Sequence, residues 1–124
     1  MKIFIVIAGA IANSVMFDVS PILAENYQKL TGAQVRAELA GMEITDEIHW
    51  RDVYERDGTV RSHSMGRRRL GKWLVRQDEL CVDLGKEEAE SCYEVWLSGR
   101  SVELRPSGLG LSLKGVLRKP TDRN

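Results

Sequence analysis

Apolar positions along this chain change their period twice. After Lys2 an apolar run, Ile3 to Ala12, gives way to a more polar stretch that ends at Ile22-Leu23-Ala24. Between Thr31 and Gly41 the spacing is helical: Thr31 suits a cap, Val35 and Leu39 with Ala40 form a stripe, and Gly41 a stop. A helix of about ten residues does not hold itself together in water, so its stripe must rest on another element. From Met42 the period is two. Met42, Ile44, Ile48, Trp50 and Tyr54 share one parity, and Glu43, Thr45, Glu47, His49, Arg51 and Glu55 share the other, as in strands with one wet face. Asp46 and Asp52 break the apolar parity and read as a turn near 45–47 or a rim bend, giving one long bent strand or two.

Asp57-Gly58 is a hairpin signal, and Thr59 to Met65 returns as a polar strand with poorly distinguished faces. Gly66 to Arg69 reads as a link. Lys72 to Val75 and Leu80 to Leu84 are strands around a turn at 76–79, followed by a charged loop, Gly85 to Ser91, and a strand from Cys92 to Leu97. Ser101 to Arg105 and a leucine alternation through Leu109, Leu111, Leu113 and Leu117 complete the series, which Pro120 ends before a tail at 121–124. The pattern predicts a mainly β domain over residues 25–120: a short N-terminal helix and a seven- to eight-stranded antiparallel meander. Such a meander hides its edges by closing into a small lipocalin-like barrel or half-barrel, with a two-sheet sandwich as the competing architecture.

The N-terminal run changes the picture of where this domain works. Residues 1–24 have the outline of a secretory signal peptide cleaved after Ala24. Roughly 20 apolar residues are needed to span a bilayer, and Asn13, Ser14 and Asp18 interrupt this run, so the expectation is a periplasmic or secreted protein with no stable membrane anchor after cleavage. No cysteine lies near the cleavage point to carry a lipid. The full chain balances 18 basic against 18 acidic residues, and cleavage removes one of each, Lys2 and Asp18. A net charge of zero argues against nucleic acid as partner.

Candidate chemistry is sparse. Cys81 and Cys92, in an exported chain and on adjacent antiparallel strands, read as a structural disulfide; their spacing is not that of a redox pair. Both fall on the parity opposite to Leu80, Val82, Leu84, Tyr93 and Val95, so the staple faces away from the core. His49 and His63 lie on the first hairpin, and pairing across a two-residue turn at Asp57-Gly58 sets their rings on opposite faces. A bulge could bring one across, but a metal would still need Glu47 or Glu55, so no metal site or cofactor is assigned. No pair of carboxylates is marked out by apolar surroundings, and there is no nucleophile elbow or phosphate loop. Arg67, Arg68 and Arg69 are a candidate docking patch for an anionic partner; the plainer reading is a rim run that discourages aggregation. A filled barrel interior is expected over a large pocket.

The residues Leu70-Gly71-Lys72-Trp73, Leu80-Cys81 and Cys92-Tyr93-Glu94-Val95-Trp96, with the Leu30 to Val35 helix start, resemble small exported proteobacterial proteins of unknown function. The resemblance implies the address and a disulfide-stapled meander and carries no activity. The chain is more loosely similar to periplasmic metalloprotease-inhibitor barrels, although these carry an inhibitory N-terminal trunk where Glu25 to Leu30 is short. The resulting expectation is a non-enzymatic periplasmic binding or envelope-associated protein whose partner is another envelope protein or a small apolar ligand. A protease inhibitor of small-barrel type is the first alternative, and a metal-assisted hydrolase using one or both of His49 and His63 the second.

Overall fold

A computed structural model of the chain describes residues 26–85 and 88–121; the signal-peptide reading of 1–24 and the last three residues lie outside them. Thr31 caps the helix α1 (Gly32–Leu39): its hydroxyl accepts from the Gln34 N–H while the Gln34 side chain accepts from the Thr31 N–H. Val35 and Leu39 are fully buried.

Ten elements follow the order β1 (Gln28–Lys29), α1, β2 (Met42–Thr45), β3 (Trp50–Tyr54), β4 (Thr59–Ser64), β5 (Arg67–Arg76), β6 (Glu79–Asp83), β7 (Ser91–Ser98), β8 (Ser101–Pro106) and β9 (Leu113–Arg118). Each strand from β2 onward pairs antiparallel with the next, and β9 returns to β2, closing an eight-stranded barrel. The strand β1 is an addition. It pairs with β7 at Lys29 and Trp96, just beyond the stretch of β7 that β6 occupies.

Inward positions follow from the registers. Ile44, Tyr54, Val60, Trp73, Leu80, Val95, Val102, Leu104 and Leu117 form one buried cluster with Leu30, Val35 and Leu39, so α1 plugs one end of the barrel. Tyr54 and Trp73 meet edge to face at 5.7 Å between centroids, and the Trp73 indole N–H donates to the Glu55 carbonyl at 2.7 Å. Where β5 leaves β4 for β6, Gly71 is required: a Cβ there would lie 2.2 Å from the Asp83 carbonyl oxygen.

Of the two readings of Met42 to Tyr54 the structure takes two strands, separated by a turn in which the Asp46 carboxylate accepts from the N–H groups of Ile48, His49 and Trp50. Three expectations are corrected. The hairpin at Asp57-Gly58 has a three-residue loop, 56–58, with Gly58 left-handed at φ +94° and Glu55 facing Thr59. Arg67 to Arg69 are no link; they open β5. Leu109 and Leu111 are exposed, and the last strand begins only at Leu113.

Candidate anion-binding groove on the barrel wall

The three-residue loop moves the β3–β4 register by one, and this decides where the histidines go. Arg51 faces His63, and the His49 carbonyl accepts from the Met65 N–H, so both histidines fall on the outward parity. The opposite-face placement is therefore corrected. His49 is held by Asp46, whose Oδ2 lies 2.8 Å from its Nδ1. Against the desolvation that would raise it, the N–H groups of Trp50, Ile48 and His49 and the His49 ring hold the Asp46 carboxyl well below the usual carboxylate range.

Two successive rungs cross the outer wall of β9, β2, β3, β4 and β5. One runs Val116, Thr45, Arg51, His63, Arg68; the other runs Arg118, Glu43, Val53, Arg61, Leu70. Directly opposed side chains in an antiparallel sheet are in contact range, so Arg51, His63 and Arg68 stand shoulder to shoulder. Glu43 lies between them and Arg118 at 0 % exposure, its carboxylate 2.7 Å from the Arg118 Nε and 3.4 Å from the Arg51 Nε. A carboxylate this buried needs its partners: it accepts a hydrogen bond from the Arg118 Nε, which fixes that side chain, and holds Arg51 by charge alone, the Arg51 Nε making no hydrogen bond.

A groove of about 480 Å³ opens above these rungs, lined by Arg51, Arg67, Arg68 and Arg118, both histidines, and Ile48, Trp50 and Met65 from the strand start and adjoining turns. Burial, then Arg51, Arg68 and Arg61, push the His63 pKa down, with Glu43 opposing. The groove is therefore lined by four arginines and a neutral imidazole; Arg118 is also paired with Glu47, the exposed acid on the lining, at 3.4 Å.

The rest of the predicted site residues scatter. By register Arg68 faces outward with His63, while Arg67, opposite Ser64, and Arg69, opposite Ser62, share the other parity; Arg67, at the rim, is exposed and lines the groove, and Arg69 is tied to Glu88 and does not. Cys81 and Cys92 are directly opposed, 4.1 Å apart at Cα, and joined as a disulfide on the outward parity. Among the described residues the one group of three with metal-ligand proximity is Cys81, Glu90 and Cys92, whose sulfurs are committed to that disulfide.

Inside the mouth is a residue the parity reading misplaced. Asp52 is neither a turn nor a rim residue; it pairs with Ile44 and Ser62 in mid-sheet and points into the barrel. Burial raises its pKa, against a hydrogen bond with Ser62 and the field of Arg69. Burial and the fields of Asp52 and Tyr93 likewise hold the Tyr54 phenol well above its ordinary range. These side chains line a cavity of about 100 Å³ with Val82, Leu84, Leu104 and Leu113. The signal for Asp52 was its shared parity with Trp50 and Tyr54.

No helix among the described residues is long and apolar enough to cross a membrane. No protein-family model, curated protein or solved structure matches the chain, and the resemblance drawn from its residues rests on the disulfide and the meander.

Proposed function

We propose that the protein is a non-enzymatic, exported, envelope-associated binding protein, and that it takes an anionic group in the groove lined by Arg51, Arg67, Arg68 and Arg118. One observation carries this reading: Arg68, directly opposite the neutral His63, and Arg67 at the rim have no ion pair among the described residues, while Arg51 on the other side of His63 leans on Glu43. Two guanidiniums without acids on one groove add nothing to the fold, and they gain a partner when an anion bridges them. The disulfide is consistent with an extracytoplasmic address.

A small apolar ligand fits less well. The interior cavity, about 100 Å³, falls below the roughly 300–1,000 Å³ usual for ligand pockets, and Asp52 stands on its wall. For protease inhibition the segment before the helix would have to be available, yet Gln28 and Lys29 are engaged as β1 on β7. Metal-assisted hydrolysis would need a third ligand beside His49 and His63, and His49 is engaged by Asp46.

Calorimetric titration of the oxidised mature protein with tripolyphosphate tests the reading. Saturable binding that weakens with salt is expected, and Arg67→Ala/Arg68→Ala, which removes two exposed side chains, should reduce affinity by about tenfold or more. Absence of saturable binding, or an unchanged affinity in the double variant, overturns it.

A further inference from the structure

The groove lies at the end of the barrel opposite α1. Alternate connections of a meander fall at the same end, so the turn at 46–49, the two-residue turn at 65–66, the end of β6 and the 107–112 loop all lie at the open mouth. Two of these turns flank the groove, and each carries a large apolar side chain at its tip: Ile48 is 82 % exposed and Met65 76 %. Leu109 and Leu111 are exposed on the loop between β8 and β9.

Met65 is the most informative of these residues. Ser64 and Arg67 face each other, so Met65-Gly66 is a two-residue hairpin loop, with φ of +52° and +81°. A loop of that shape favours asparagine, aspartate or glycine at its first position, because a left-handed backbone crowds any longer side chain. Methionine there is unfavourable twice over, once for the backbone and once for apolar surface in water. Neither cost returns anything to the fold, since the side chain packs on nothing buried.

We infer that the anion the groove takes is the phosphate of an anionic phospholipid, and that the protein docks reversibly on a bilayer surface with its open barrel end. This rests on the groove reading and adds the source of the anion. Guanidiniums next to exposed apolar tips match a surface that is negative outside and apolar beneath: the arginines meet headgroup phosphates while Ile48 and Met65 enter the boundary with the acyl chains. A folded protein partner would ask for a continuous packed patch; here the apolar groups are single side chains on separate turns, which a fluid interface accommodates. The zero net charge of the chain means that attraction to the surface is local and sets an orientation.

The test is co-sedimentation of the oxidised mature protein with vesicles of phosphatidylglycerol and phosphatidylcholine in equal parts, against vesicles of phosphatidylcholine alone, with parallel titrations of tripolyphosphate and glycerol phosphate. Binding to the first vesicles and not the second is expected. Ile48→Asn/Met65→Asn changes no charge, and it should weaken vesicle binding by about tenfold and tripolyphosphate binding by far less; an equal loss of both would overturn the bilayer inference. Arg67→Ala/Arg68→Ala should weaken both. If the wild type binds tripolyphosphate but not the anionic vesicles, or if the asparagine variant binds vesicles as the wild type does, the bilayer inference is overturned and the groove reading stands. If tripolyphosphate does not bind, both fall.

Discussion

Two titrating residues act in opposite directions. His63 is depressed below its ordinary 6.5 by burial and then by the arginines around it, so its contribution to stability is in place above that value and is lost as pH falls through the folded-state value. An anion in the groove offsets the arginine field and favours the imidazolium. Affinity for tripolyphosphate should therefore rise between pH 7.5 and 5.5 more in the wild type than in His63→Gln, a comparison in which titration of the ligand cancels. Asp52 is raised above 3.8 by burial, against the Ser62 hydrogen bond and Arg69. A raised acid contributes fully below the unfolded value and loses that contribution as pH rises through the folded one. Asp52→Asn should thus raise the denaturation midpoint at pH 7, with the gain shrinking toward pH 4; an equal gain at both would show that the charge is not the cause.

Within elements, two short loops decide what the surface displays. The alternation from Met42 onward and the turn residues make the strands readable, and the Thr31 cap and Gly41 stop bound the helix as expected. Loop type was not readable, because Asp-Gly serves a two-residue turn and a three-residue loop with a left-handed glycine equally well. The two differ by one residue, which in a strand exchanges inside for outside, and so the shared face of His49 and His63 and the rung with Arg51 stayed hidden. Asp52 was missed for a related reason: an acid within an apolar alternation looks like an interruption until the barrel supplies Ser62 and Arg69 beside it. The Met65 turn yields a stability prediction separate from membrane docking. Met65→Asn alone should stabilise the fold by about 1 kcal/mol, read from chemical denaturation, since asparagine tolerates the left-handed backbone. The disulfide between β6 and β7 closes a separation of 11 residues, and Cys81→Ser/Cys92→Ser should cost about 3 kcal/mol in the same measurement, without altering the groove on the other wall.

Over the whole molecule, balanced composition conceals unbalanced placement. Equal numbers of basic and acidic residues sum to zero, yet Arg51, Arg61, Arg67, Arg68 and Arg118 gather on the wall and mouth formed by β9 and β2 to β5. There Glu43, Glu47 and Glu55 pair with Arg51, Arg61 and Arg118 and leave Arg67 and Arg68 over. Composition therefore excludes a generally basic protein and says nothing of a local patch, which only the closing of β9 on β2 assembles. That closure has a kinetic meaning. Seven of the eight barrel pairings join strands adjacent in the chain, and the eighth joins Thr45 to Val116. Hairpins form early because little chain entropy is lost in closing them, so this seam is the last to zip and the first to part. Native-state hydrogen exchange should find the amides of β2 and β9 opening at lower free energy than those of β5 and β6, and uniform protection across the barrel would refute this. Arg118, which clasps Glu43 across the seam, also lines the groove. An anion lodged there would bind only the closed barrel, so occupancy would slow the opening of the seam and lengthen the lifetime of the protein where its partner is abundant.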